Sequence, residues 1–228
     1  MKDRKLVFDE VGIRLFFPFE EESDPIIRNK QILEGCGCSS EGLTAADYES
    51  RAKKQIANSY LFHKSDKSLM QTIGGKISEK SGNILELGFG IGLTADYVQS
   101  NSNISSHTII EINSYIYEKA LEWAKDKPNV NVILGDWFDI LPNMSQKFNG
   151  IFHNTRFDFK LLKFLDIAKS VCNEDAVICF FRGPNNQKEV LNIINHQFTN
   201  EEIASSPYFG RKGWDWSYTT FNGTKFIK

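Results

Sequence analysis

Cysteine is scarce in this sequence, with four residues in 228: Cys36, Cys38, Cys172 and Cys179. That density builds no disulfide framework. The N-terminal MKDRKLVFDE lacks the apolar core of a signal peptide, so a reduced, cytoplasmic protein is expected. Long apolar runs are also missing. None approaches the ~18 residues of a membrane-spanning helix. Excess charge of either sign is absent: 27 Lys and Arg against 29 Asp and Glu leave a net charge of −2. With no Lys/Arg cluster, nothing draws the chain to nucleic acid or to an anionic membrane. The Cys36-Gly-Cys38 pair has no second pair at metal-ligand spacing, so it reads as a turn and no metal site is expected. Internal repeats and low-complexity tracts are absent too. What is present is an ordinary globular composition, 41% hydrophobic and 25% charged, with 18 phenylalanines suited to a well-filled core. The length allows one sizeable domain with a short appendage.

Residues 1–60 read as an N-terminal extension, a substrate lid or dimer arm, ahead of a domain spanning 61–228. The stretch LVFDEVGIRLFF predicts two short strands. Glu20 to Pro25 is an acidic loop, followed by the Gly/Cys/Ser-rich GCGCSSEG. Residues 44–62 predict a helix with Thr44 as N-cap, and Ser65–Ser78 a second, weakened by Gly74-Gly75. From there short apolar strands alternate with helices. Strands are expected at 84–87, 107–112, 129–134, 150–154 and 176–181, and helices at 93–100, 115–126, 161–171 and 188–198. Such alternation gives a parallel sheet with helices on both faces. The ending differs: SYTTF and TKFIK flank Asn222-Gly223, a strong hairpin signal. The expected fold is therefore a Rossmann-like, doubly wound α/β sheet of seven strands with a C-terminal antiparallel hairpin. Nicotinamide-binding domains usually lack that hairpin, and class I S-adenosylmethionine-dependent methyltransferases usually have it.

The stretch ILELGFGIGLTADYV places Gly88, Gly90 and Gly92 between a strand and a helix, where a ligand can press on the backbone. No Gly-Lys-Ser/Thr follows, which excludes a triphosphate loop. Glu111, with Ile112 beside it, ends the second strand and is placed to accept from ribose hydroxyls, a device that serves NAD and S-adenosylmethionine alike. Glu86 lies inside the first strand, where a dinucleotide fold keeps an apolar residue, and an acid there can meet an ammonium group. Asp136 ends the third strand, where it can accept from an adenine amino group while Trp137 covers the base. Asn154 ends the fourth, at the carboxyl edge where open α/β sheets place reacting groups. Together these strand ends describe a site for a nucleoside joined to an amino acid, and S-adenosylmethionine is the expected cofactor.

ILELGFGIG, HTIIEIN, LGDWFDILP and FNGIFHNT resemble guanidinoacetate N-methyltransferase and the related fungal-type arginine delta-N-methyltransferases, over about residues 60–156. The resemblance implies that Gly88, Gly90 and Gly92 grip the methionine part, that Glu111 grips ribose, and that Asp136 and Trp137 approach adenine. The family's upstream Met, Trp-Glu and Met pattern falls on Phe62, Ser65-Asp66 and Met70. This implies that Phe62 and Met70 lie against the cofactor and that Asp66 contacts the acceptor. One position departs from the pattern. Where the family carries Tyr-Asp-Thr at the end of the fourth strand, this chain has His153-Asn154-Thr155. An amide oxygen can orient a nitrogen but cannot act as a base near neutral pH, which leaves His153 or Asp158 to take a proton.

The function expected from these residues is methyl transfer from S-adenosylmethionine to a guanidino or amino nitrogen of a small molecule or peptide. Two alternatives stay open: an O-methyltransferase acting on a carboxylate or hydroxyl with His153 as base, and a catalytically silent cofactor-binding interaction protein. A strand-rich N-terminal arm of this kind can also mediate a homodimer.

Overall fold

The computed structural model describes residues 6–9, 12–15, 22–35, 42–58, 60–155, 161–182, 199–205 and 215–220. The chain divides into two compact units, one of residues 3–64 and one of residues 65–228 with residues 1 and 2.

In the smaller unit, β1 (Leu6–Phe8) and β2 (Gly12–Leu15) pair antiparallel, and β2 also pairs antiparallel with β3 (Tyr60–His63). Helices α1 (Pro25–Gly35) and α2 (Ala45–Asn58) belong to the same unit. Helix α1 is not expected from the sequence, where Glu20–Pro25 reads as an acidic loop. Asp24 is the overlooked signal: its Oδ1 accepts from the Ile26 and Ile27 amides at 2.8 and 3.2 Å, and Pro25 fills the first turn. The expected start of α2 is correct. Thr44 and Asp47 form a reciprocal cap, with Asp47 Oδ2 accepting from the Thr44 amide and Thr44 Oγ1 accepting from the Asp47 amide. Its end is not, because the helix stops at Asn58 and the Tyr60-Leu-Phe-His run becomes β3. Aromatic and apolar residues there pair as a strand beside β2.

The larger unit is built on parallel strands in the order β6-β5-β4-β7-β8: β6 (Val130–Leu134), β5 (Ile104–Glu111), β4 (Gly82–Leu87), β7 (Phe148–His153) and β8 (Cys172–Arg182). At the β8 edge, β10 (Asp215–Thr220) pairs antiparallel with β8, and β9 (Thr199–Ser205) pairs antiparallel with β10. The sequence reading had no strand at 199–205. The Asn222-Gly223 turn and the helix expected at 188–198 lie outside the described residues, as does Cys36-Gly-Cys38.

Strand alternation separates two cores, one on each side of the sheet. Leu85, Leu87, Ile110, Ile151 and Phe180 pack with α7 (Leu161–Val171) through Phe164, Leu165 and Ala168, and with Trp137 of the short α6 (Trp137–Ile140). On the opposite side Ile84, Phe152, Val177 and Cys179 pack with α3 (Lys67–Ser78) through Leu69, Met70, Ile73 and Ile77, and with Val98 of α4 (Leu93–Gln99). Helix α5 (Ser114–Ala124) starts at Asn113, whose side chain accepts from the Tyr115 and Ile116 amides. The Gly74-Gly75 pair does not interrupt α3: a Cβ on Gly74 would stand 2.9 Å from the Tyr97 ring, so the pair admits α4. Gly150 has the same use at closer range. A Cβ there would run into the Ile77 carbonyl, so glycine lets the end of α3 lie on β7.

Candidate active site

The carboxyl ends of β4, β5 and β7 converge on the turn between β4 and α4. Gly88, Gly90 and Gly92 hold φ of +92°, +60° and +78°, conformations that L side chains rarely adopt, so the turn closes only with glycine at these positions. Two neighbouring strands fix it. The Gly88 amide donates to the Ile110 carbonyl at 2.8 Å, and the Asn154 amide donates to the Leu87 carbonyl at 3.0 Å. A Cβ on Gly88 would stand 3.1 Å from the Asn154 carbonyl oxygen. Asn154 therefore abuts the glycine turn.

Glu111 ties the turn to the start of α5. Its Oε2 accepts from the Phe89 amide at 3.0 Å, and its Oε1 accepts from the Asn113 amide at 2.8 Å. Burial raises its carboxyl above the usual range, and the backbone donors of Asn113, Phe89, Ile112 and Gly90 pull it back down. Ile112, half-buried, follows directly.

Glu86 is 0% exposed, and neither of its carboxyl oxygens has an aligned hydrogen bond among the described residues. His107 on β5 brings its Nε2 to 3.3 Å from Glu86 Oε2, close but without hydrogen-bond alignment. Burial, then the neighbouring charges of Glu111 and Asp96, drive the Glu86 carboxyl well above the ordinary value. Burial alone holds the His107 imidazole down at about 3.

On α3, Met70 Sδ accepts from Thr94 Oγ1 at 3.3 Å, which places Met70 against the first turn of α4. Asp66 stands one turn earlier, buried at the head of the helix. Phe62 lies on β3 opposite Ile13, in the smaller unit. Asp136 caps α6, accepting from the Phe138 amide at 3.0 Å.

Two expectations need correction. Trp137 is 5% exposed and belongs to the core: its indole meets Phe138, His153 and Phe164 edge-on, with centroids 5.3 to 5.9 Å away. The residue after Asp136 turns inward because α6 starts there and buries its first side chain, so Trp137 does not cover a base. His153 is likewise unsuited to act as a base. Strand alternation turns it to the α7 side, where it lies 4.3 Å from the Phe164 ring and meets Thr155 Oγ1 at 3.0 Å through Nε2. Burial holds its imidazole at about 3, so it is a neutral packing group near neutral pH. Asp158 lies outside the described residues.

A polar group near Glu86 adds residues that the sequence patterns do not single out. Gln99 Nε2 is 3.4 Å from His107 Nδ1, and Trp123 Nε1 donates to Asp96 Oδ1 at 2.7 Å while its ring lies 5.4 Å from Phe89. The signal was available: His107 shares strand parity with Glu111.

The family model for guanidinoacetate N-methyltransferase matches residues 30–160, more than half of the 228-residue sequence. The chain belongs to the guanidinoacetate N-methyltransferase family. It is also similar to protein arginine N-methyltransferase 2 of Yarrowia lipolytica, 32% identical over 114 residues that make up 47% of this chain and 24% of that protein. The protein of the same name from Debaryomyces hansenii is 27% identical over 141 residues, 59% of this chain and 32% of that protein. The match thus covers about a quarter to a third of the fungal relatives' length. Among solved structures, the N-methyltransferase NodS from Bradyrhizobium japonicum WM9 in complex with S-adenosyl-L-homocysteine superposes with a TM-score of 0.54. It is 11% identical and covers 69% of this chain and 87% of that one. M. jannaschii TYW2 in complex with AdoMet gives a TM-score of 0.53 at 15% identity, over 72% of this chain and 78% of that one. At such identities the likeness concerns the fold. Membership in this methyltransferase family makes S-adenosylmethionine the cofactor.

Proposed function

We propose that this chain methylates a guanidino or amino nitrogen of a small molecule or peptide, at the carboxyl edge of β4 and β7. The observation that supports the reading is the backbone contact of Asn154 with the Gly88 turn, where the Asn154 N–H donates to the Leu87 carbonyl and a Cβ on Gly88 would stand 3.1 Å from the Asn154 carbonyl oxygen.

The residues suit the cofactor. Glu86 is a buried carboxyl with no aligned partner among the described residues, fit to meet an ammonium, and Glu111 has Oε2 already on the turn, fit to take ribose hydroxyls. Asp136 at the end of β6 suits an adenine amino group, and Met70 beside Thr94 lines the α4 side. The glycine turn supplies close backbone approach. S-adenosylmethionine brings a methyl group activated on a sulfonium.

For the chain's own residues the work is alignment and exclusion of water. The Asn154 amide oxygen accepts from the acceptor nitrogen and points its lone pair at the methyl group. Asp66, at the head of α3, attracts a cationic acceptor and takes its proton, a role that His153 cannot fill. Removal of His153 as a base also withdraws the main support for oxygen methylation. To residues 1–60 the reading gives the part of a substrate lid or dimer arm. The C-terminal antiparallel strands β10 and β9 complete a seven-stranded methyltransferase sheet.

Asn154→Asp tests the reading. It restores the carboxylate that the family carries and should maintain or raise turnover on guanidino acceptors. If Asn154→Asp and Asn154→Ala both leave turnover at the wild-type rate, Asn154 does not orient the acceptor and the reading falls.

A further inference from the structure

Glu86 and His107 form a buried pair whose charge state the geometry constrains. Both belong to the same side of the sheet as α3 and α4. Glu86 pairs in register with Ile109 on β5 and Phe152 on β7, and Met70 and Ile73 come from α3. The charged or titratable groups acting on Glu86 are His107 and Glu111 from β5 and Asp96 from α4. Behind His107, Gln99 meets Nδ1 and the Trp123 ring stands edge-on at a centroid distance of 6.3 Å.

An ion pair at this place would need aligned hydrogen bonds to offset desolvation. Glu86 Oε1, Glu86 Oε2 and His107 Nε2 have none among the described residues. Glu111, by contrast, has backbone donors on both oxygens. Of two neighbouring carboxyls in a dry site, the better-bonded one keeps the charge and the other keeps the proton.

We propose that Glu86 is protonated in the cofactor-free protein, and that the cofactor's ammonium group drives this proton to solvent on binding, with His107, 3.3 Å away, as the positioning residue for the carboxyl. The step balances simply: the Glu86 O–H bond breaks, the proton goes to buffer, and the carboxylate pairs with the ammonium. This inference rests on the cofactor placement proposed above.

The test uses S-adenosylhomocysteine, which carries the same ammonium and cannot turn over. Titration calorimetry of the full chain in phosphate and in Tris should give apparent enthalpies that differ by the buffers' ionisation enthalpies times about one proton released. Affinity should rise with pH, by up to about tenfold per pH unit, over the range in which free Glu86 holds its proton and the ligand's amine stays protonated. Glu86→Gln should abolish proton release and flatten that slope. His107→Gln should move the slope along the pH axis, which a residue that only fills space would not do. Should either variant fail to fold, infrared difference spectra of the wild type carry the question: the stretch of a protonated carboxylic acid should vanish on binding. Binding without proton release, or without loss of that band, would overturn the inference and leave the cofactor site standing. No binding of S-adenosylhomocysteine at any pH would overturn both.

Discussion

Glu111→Gln separates two duties of one side chain. In the wild type, Oε2 holds the Phe89 amide at 3.0 Å and Oε1 holds the Asn113 amide at 2.8 Å, and the residue is 4% exposed. Glutamine keeps the shape but turns one acceptor into a donor. One of those two buried N–H groups then faces an NH2, at a cost of about 1–3 kcal/mol. The melting temperature should fall, and so should the order of the turn at Phe89. Cofactor binding should suffer further, because a ribose hydroxyl loses a charged acceptor worth about 1.5–3 kcal/mol. With tenfold in affinity per 1.4 kcal/mol, that is a loss of roughly 10- to 100-fold. Titration calorimetry with S-adenosylhomocysteine, beside a thermal melt, reads both quantities on one sample. A folded, destabilised variant with unchanged affinity would refute the ribose role and leave Glu111 as a loop tie alone. Glu111→Ala removes both bonds and should destabilise more, so it is the less clean probe.

Asn154→Ala should lower kcat about 100-fold while changing cofactor affinity little, since alignment is lost and the adenosine contacts remain; single-turnover kinetics and calorimetry check the split. Gly150→Ala should destabilise by roughly 3 kcal/mol or more in chemical denaturation, because its Cβ meets the Ile77 backbone and neither element can yield cheaply. Stability should fall with acid below pH 6.5: His107 and His153 titrate near 6.5 when unfolded and are held at about 3 by burial when folded. The unfolded state therefore binds their protons first, and the loss runs from about 6.5 toward 3 in denaturation midpoints measured across pH. Glu86 works the other way, since its raised folded value withdraws stability as pH climbs above 4.5, so Glu86→Gln should be at least as stable as wild type at neutral pH without cofactor.

The repeating core was legible because one pattern served both local and tertiary needs. Leu161–Val171 is apolar on the face that α7 buries, and its bounds agree with the reading. The glycine turn, Glu111 and Asn154 were legible for a related reason: a strand end fixes where a residue sits whatever its neighbours do. Which way a side chain turns after the strand was not legible. Trp137 turns toward Phe164 because α6 starts there, which no strand pattern foretells, whereas strand parity, readable in the sequence, is what turns His153 toward the same ring. Asp24-Pro25 was read as acidic loop because its neighbours are charged, although that dipeptide caps a helix. His107 escaped notice because one histidine in an apolar strand looks like packing, and only the 3.3 Å approach to Glu86 gives it significance.

The central claim is methyl transfer to nitrogen at the Asn154 edge. Incubation of the wild-type chain with methyl-labelled S-adenosylmethionine and a panel of guanidines, amines and arginine-containing peptides, followed by mass spectrometric location of the label, tests it most directly. The account predicts label on a guanidino or amino nitrogen and its loss in Asn154→Ala. Tight cofactor binding with no labelled nitrogen anywhere in the panel, or label on oxygen alone, would contradict it.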